Sequence, residues 1–355
     1  VRDRLTADAL LVSDLTNVRW LTGFTGSNGW VVVMPDEMVL VTDGRYGEQA
    51  ERQLHAAGVE ARVLVGLSGA ATMAHLATVA GSVATLGFEA THVSVAAHRA
   101  LAAELAPELV PLEGIVEAER RVKDAGEIAR IGAACAIADA ALADVAPLLG
   151  DGLTEAQVRN LLEIRMRELG ASGPSYETIV ATGPVNAALP HHRPTDLTVE
   201  AAHTVIIDVG ALVDGYHSDM TRTFVVGDAS PHQQELYDLV LTAQRAGVAA
   251  VRAGVSAAAV DAVCRSTIAD AGYADWFSHG TGHGVGLLIH EDPYLNRTSG
   301  DTLQAGEVVT VEPGVYREGF GGVRVEDLVV VTSDGCRVLT GSPKDSPCLP
   351  SPPTT

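Results

Sequence analysis

Asp208, Asp219, His283, Glu312 and Glu326 occur in that order in the C-terminal half of the chain, within VIIDVGALVDGYHSDMTRTF, HGTGHGVG, VTVEPG and GGVRVEDL. Each sits in a β-like or glycine-rich setting. Four carboxylates and one imidazole at contact distance raise one another's pKa and destabilise an unfilled pocket. Two divalent cations remove the conflict, because four negative charges balance two metals of charge two. The set therefore points to a two-metal hydrolase. Oxygen ligands with one imidazole and no thiolate suit manganese, with cobalt, iron or zinc as alternatives.

These residues need elements that bring them together. Asp214-Gly215 is a two-residue hairpin signal. Counting back from it pairs Val213 with Tyr216, Gly210 with Asp219, and Asp208 with Thr221. Asp208 and Asp219 then share a face as diagonal neighbours, roughly 7 Å or less apart at Cβ. Gly210, opposite Asp219, is expected to leave room for an ion. Glu312 ends a strand before a Pro-Gly break, and Arg324 and Glu326 alternate onto one face of the next strand. Small neighbours around His283 allow close backbone approach.

Taken singly, each residue has an ordinary reading. Asp208 could cap a strand end, His283 could be a loop residue satisfied by backbone, and Glu326 could pair with Arg324 across a sheet edge. GTGHGVG lacks a Walker lysine and the GxGxxG register, which argues against nucleotide binding. The ordered joint occurrence carries the metal reading.

The chain has 355 residues, 47% hydrophobic and 19% charged, which predicts two domains of α/β or α+β type. A net charge of −21 disfavours nucleic acid and anionic membranes as partners. No apolar run is expected to reach membrane-spanning length, and VRDRLTADALLVSD lacks the form of a signal peptide, so a cytoplasmic location is expected. Cys135, Cys264, Cys336 and Cys348 show no Cys-x-x-Cys spacing, which argues against a zinc cluster and a disulfide scaffold.

Strands at 9–14, 29–35, 38–43, 61–66 and 85–90 alternate with helices at 44–57, 69–80 and 94–106, implying parallel pairing. Residues 107–124, with two prolines and a charged cluster, read as a linker. Helices follow at 125–145 and 154–169, then a strand at 176–182 and a hairpin at 204–226. Helices at 231–252 and 256–271 precede antiparallel strands at 307–313 and 322–332. Helix, helix, hairpin thus occurs twice. Residues 341–355, rich in proline and serine, read as a disordered tail.

The five-segment set resembles the pita-bread metallopeptidases, and the whole chain resembles their Xaa-Pro branch, prolidase (Xaa-Pro dipeptidase) and aminopeptidase P (Xaa-Pro aminopeptidase). NVRWLTGFTGSNG and TDGRY resemble the creatinase-type N-terminal domain, and 125–332 resembles the catalytic domain. The resemblance implies an α+β fold: a smaller α/β creatinase-like domain over 1–118, then a pita-bread catalytic domain of antiparallel sheet covered by helices over 119–340. It implies that Asp208 and Asp219 bind one metal, that His283 joins Asp219 at the other, and that Glu312 and Glu326 complete the pair.

ETIVATGPVNAALPHHRPTD resembles the segment ending in Ala-Leu-Pro-His, which aligns His191 with the histidine near the scissile carbonyl, His192 being its neighbour. His290 matches the second active-site histidine, and Arg324 the arginine near the metal centre and substrate carboxylate. Val185 is one residue more than the family pattern holds and is expected to shift the loop carrying His191. The implied chemistry is attack of metal-activated water on the carbonyl before proline, Glu312 relaying the proton and His191 and His290 contacting the oxyanion or substrate. Implied partners are proline-containing peptides or dipeptides and a second copy in a homodimer.

His217 and His279 flank ligand segments and are candidates to hydrogen-bond the ligands, whereas Trp20, Phe24 and Trp30 read as packing residues. Three rivals remain. A methionine aminopeptidase-like enzyme shares the ligand order, but the N-terminal domain argues against it. A creatinase-like hydrolase works without metal, and the intact carboxylates argue against that. A noncatalytic binding scaffold of the same fold is the third.

Overall fold

A computed structural model describes residues 1–349. Contacts divide the chain into two units, one ending at Arg120 and the other beginning at Arg121. In the first, short aliphatic runs form a sheet in the order Arg62–Gly66, Met38–Asp43, Gly29–Val33, Ala9–Val12, Thr85–Glu89 and Glu108–Leu112. Leu11, Val32, Val39, Val41, Leu76 and Leu86 are buried on one side of it, and Leu10, Val31, Leu40, Phe24 and Leu54 in a second cluster.

Two expectations for this unit need correction. Pairing is mixed, not parallel throughout: Gly29–Val33 runs antiparallel to both Ala9–Val12 and Met38–Asp43, and the other three pairings are parallel. The segment 34–37 between two of these strands is too short for a crossover. The expected linker also holds structure, strand Glu108–Leu112 and helix Glu117–Arg120. Pro111 is accommodated because its strand forms a sheet edge.

In the second unit, helices Ala125–Val145 and Glu155–Glu168 each begin with a reciprocal cap, Asp124 with Glu127 and Thr154 with Gln157. They pack on the antiparallel sheet Thr221–Val225, Thr204–Asp208, Ile179–Thr182. Leu162 and Met166 are fully buried there, each stabilising by about 1.5–3 kcal/mol through removal of apolar surface from water. The motif then repeats. Helices Pro231–Ala250 and Ala257–Asp270 pack on Glu291–Leu295, Gly282–Gly284, Val308–Val311, Asp327–Val331 and Cys336–Val338, with every pairing antiparallel. The unit is the expected α+β arrangement of antiparallel sheet covered by helices.

Within the helical residues Ala125–Gly150 an 18-residue window has a mean hydropathy of 1.6, long and apolar enough to cross a membrane by length and composition only. Ala134, Ala138, Ala141, Leu142, Val145 and Leu149 from this segment are buried in the core beside the Glu155–Glu168 helix. All four cysteines are free, Cys135 and Cys264 being buried.

The expected disorder from residue 341 is corrected over residues 341–349. Ser342 donates to Asp139 from N (2.9 Å) and Oγ (2.7 Å), and its carbonyl accepts from Arg222 Nε at 3.0 Å. Lys344 donates to Gln244 and pairs with Asp327, and the Pro347 carbonyl accepts from Val225 N. Buried acceptors and a buried guanidinium thus fix a proline-rich segment that has no periodicity of its own. Residues 350–355 of the expected tail lie outside the described residues.

Candidate metal centre

Both ends of the hairpin hold the expected register. Val213 pairs with Tyr216 around Asp214 (φ 46°) and Gly215 (φ 75°), and Asp208 pairs with Thr221. Positive φ at both central residues matches the twist of the flanking strands. Between the ends, Ser218 N donates to Ala211 O and Val209 N to Met220 O, which sets Gly210 opposite Asp219. The reason for Gly210 differs from the one expected. A Cβ there would lie 1.9 Å from the Ser218 carbonyl and 2.8 Å from Ser175 Cβ, so the missing side chain lets backbone close in and leaves no space for an ion.

Ligand atoms of Asp208, Asp219 and Glu326 lie within 4.8 Å of one another. His283 Nε2 is 3.5 Å from both Asp219 Oδ2 and Glu312 Oε1. Its Nδ1 meets the Gly284 carbonyl at 3.1 Å, which places the ring proton on that side and leaves the Nε2 lone pair facing the carboxylates. A Cβ on Gly282 would lie 2.0 Å from the Thr310 carbonyl, so only glycine lets the His283 strand lie this close to the strand leading to Glu312. Thr310 Oγ1 then donates to Glu312 Oε1 at 3.4 Å and accepts from His283 N at 3.0 Å.

The electrostatics of the group suit a cation. Burial, then Asp208 and Glu312, pushes the Asp219 carboxyl well above its ordinary value. Burial, then Asp219, Glu312 and Asp208, does the same to Glu326. Burial raises Glu312 to about 8 against the pull of Arg324. Burial and then His290 lower the His283 imidazole to about 4, which keeps it neutral. Glu326 Oε2 accepts from Thr221 Oγ1 at 2.7 Å, but Oε1 is buried and has no partner. An orphaned carboxylate oxygen among carboxylates held partly protonated fits a divalent cation.

Arg324, fully buried, donates from Nη2 to Asp208 Oδ2 (2.6 Å), from Nε to Thr221 Oγ1 (2.9 Å), and from Nη1 to Pro190 O (3.0 Å) and Tyr316 OH (2.9 Å). His279 Nε2 meets the same Tyr316 hydroxyl at 2.9 Å, and His217 Nδ1 meets Ser175 Oγ at 2.8 Å. His279 is thus linked to Asp208 through Tyr316 and Arg324.

Sequence reasoning missed Tyr176. Its hydroxyl contacts both Asp208 and Asp219, the latter at 2.5 Å. A phenol has one hydrogen, so the hydroxyl can donate to only one of the two carboxylates at a time. Nothing in the local pattern of GPSYETIV marked this tyrosine. The signal it offered was its place just ahead of a strand paired to the Asp208 strand.

A cavity of about 530 Å³ opens over the group, lined among others by His191, His290, Glu177, Arg193 and Tyr294. His290 packs edge-on against His283, ring centroids 4.4 Å apart. His191 is exposed toward the cavity, whereas His192 is buried with Nε2 held 2.9 Å from Glu155 Oε2. The extra Val185 is exposed in a helical turn, Gly183–Asn186, and His191 still lines the cavity.

Residues 129–333 match the model of metallopeptidase family M24, and residues 3–122 match the creatinase/prolidase N-terminal domain. The chain belongs to metallopeptidase family M24. Among M24 relatives, an uncharacterized peptidase, YqhT, from Bacillus subtilis is 40% identical, covering 96% of each chain. A solved Xaa-Pro dipeptidase from Bacillus anthracis superposes with a TM-score of 0.94 at 37% identity, covering 98% of this chain and 96% of that one. An X-Pro aminopeptidase from Thermotoga maritima gives 0.91 at 31% identity, covering 98% and 99%. The M24 chain is therefore a metallopeptidase that joins a creatinase-type N-terminal domain to a pita-bread domain, and family membership implies use of a divalent metal.

Proposed function

We propose that this M24 chain hydrolyses the Xaa-Pro bond of dipeptides or of longer peptides, using two divalent cations held by Asp208, Asp219, His283, Glu312 and Glu326. The observation that carries this reading is the orphaned Glu326 Oε1 among carboxylates within 4.8 Å, roofed by a cavity whose lining includes His191 and His290. Manganese is the first choice of cation, with cobalt, zinc or iron as alternatives. Cations held there would supply Lewis acidity toward the scissile carbonyl and would make water acidic enough to attack at neutral pH.

The protein's own groups supply the rest. A carboxylate oxygen of Glu312 accepts the proton of the attacking water, and that proton passes on to the leaving ring nitrogen. N–H groups of His191 and His290 face the developing oxyanion. The bond before proline is a tertiary amide, so no substrate N–H needs an acceptor. Four of the five N–H groups of Arg324 go to protein acceptors, among them Asp208, which it orients. The cavity volume of about 530 Å³ falls within the roughly 300–1,000 Å³ range of small-ligand sites.

The B. anthracis and T. maritima relatives, named as a dipeptidase and an aminopeptidase, favour an Xaa-Pro substrate and leave peptide length to experiment. A homodimer and a cytoplasmic location complete the reading. The test is turnover of Gly-Pro, of longer Xaa-Pro peptides and of matched Xaa-Ala controls with added manganese. Cleavage confined to the proline substrates is expected. Cleavage of the alanine controls at equal rates, or of none, would overturn the reading.

A further inference from the structure

We propose that Glu155 is the positioning residue for His191, its buried carboxylate tying down both ends of the loop that carries His191 into the cavity. Glu155 is the first residue of its helix and is fully buried. Its Oε1 accepts from Thr182 N (2.8 Å) and Asn186 Nδ2 (3.1 Å). Its Oε2 meets His192 Nε2 (2.9 Å) and accepts from Thr195 N (2.9 Å) and Thr195 Oγ1 (2.7 Å). Thr182 and Thr195 bracket the loop, and Asn186 and His192 lie within it.

A buried carboxylate is costly unless its oxygens are fully hydrogen-bonded, and these are. Its position at a helix N-terminus adds a favourable dipole. The consequence falls on one side chain. His191 stands between two anchored neighbours, Pro190, whose carbonyl accepts from Arg324, and His192, whose ring meets Glu155. With backbone fixed on either side, the His191 ring is presented to the cavity at little further entropic cost. Glu155 itself is absent from the cavity lining, and its hydrogen-bond partners include none of the five candidate ligands.

This rests on the reading of His191 as an oxyanion contact in Xaa-Pro hydrolysis. Glu155→Gln keeps the shape and turns an acceptor into a donor facing other donors. It should lower kcat about 10- to 100-fold, as loss of an orienting partner does, with KM and bound metal unchanged. The deciding experiment is a double-mutant cycle of Glu155→Gln with His191→Ala in the metal-loaded enzyme, read beside amide hydrogen exchange over residues 183–195. If Glu155 acts through His191, the double variant is no slower than His191→Ala alone, and exchange in the loop rises. Multiplicative losses or unchanged exchange would overturn the proposal. If the unsubstituted enzyme cleaves no Xaa-Pro substrate, the functional reading fails while the exchange data still decide the anchoring. Should Glu155→Gln not fold, His192→Phe, which removes one of the contacts, is put through the same cycle with the same two outcomes.

Discussion

Arg324 Nη2 lies 2.6 Å from Asp208 Oδ2, and Asp208 is, among the described residues, the one carboxylate of the five-residue group paired with an arginine or lysine. Burial and mutual repulsion push the Asp219, Glu312 and Glu326 carboxyls up in metal-free protein, whereas the guanidinium sits against Asp208. Arg324→Met should therefore strand a carboxylate and cost about 3–5 kcal/mol in urea unfolding of metal-free protein. Arg324→Lys should recover only part of that, since an ammonium cannot span four acceptors. A methionine variant as stable as the parent would remove this role.

The Tyr176 hydroxyl contacts both Asp208 and Asp219. Tyr176→Phe should destabilise metal-free protein by about 1–3 kcal/mol, the cost of unsatisfied buried partners. A cation would satisfy those oxygens, so the rise in Tm on adding manganese should be larger in the variant than in the parent. An equal rise would show that the hydroxyl does not stand in for an ion.

The raised carboxyl of Glu312, pushed by burial to about 8, gives stability to metal-free protein a definite pH slope. A group whose folded pKa lies above its unfolded value stabilises most below the unfolded value and loses that contribution as pH rises through the folded one. Asp219 and Glu326 shift the same way. His283, lowered to about 4 by burial and His290, acts oppositely but only as pH falls from 6.5 toward 4. Chelated protein should thus lose Tm steadily from pH 6.5 to above 8, and manganese should flatten the curve. A chelated protein that gains stability across that window would contradict the assigned protonation.

Lys344 reaches Asp327, the neighbour of Glu326 in the chain, from the C-terminal segment. Burial raises the Asp327 carboxyl, but Arg222 and Lys344 outweigh it and hold it below its ordinary value. Lys344→Met should cost about 1–3 kcal/mol through a charge-assisted hydrogen bond lost at a buried site. Truncation after Thr340 should cost more, because Arg222 then also loses the Ser342 carbonyl. Thermal unfolding of the two variants orders these effects, and an unchanged truncated protein would show the segment to be dispensable.

What could be read from the chain was local chemistry. Asp214-Gly215 dictated a two-residue turn, and the register of Asp208 and Asp219 followed by counting. Glu155's partners lie 27 to 40 residues away, and Tyr176's 32 and 43, at separations where no periodicity operates. Gly210 was read as room for an ion because its real neighbour, the Ser218 carbonyl, is backbone and leaves no trace in residue type. The N-terminal sheet was read as parallel because alternating strands and helices do not reveal that two strands share a four-residue connection. The 341–349 segment was missed because its order comes from acceptors on Asp139, Asp327 and Gln244, not from its own composition.

The most direct test of the proposed dinuclear centre is titration of manganese into chelated protein, with bound metal and Gly-Pro cleavage followed together, in the parent and in Asp219→Asn. Two cations per chain are expected, with turnover appearing as they bind, and loss of both in the variant. Full turnover in chelated protein, or two cations still held tightly after Asp219→Asn, would contradict it.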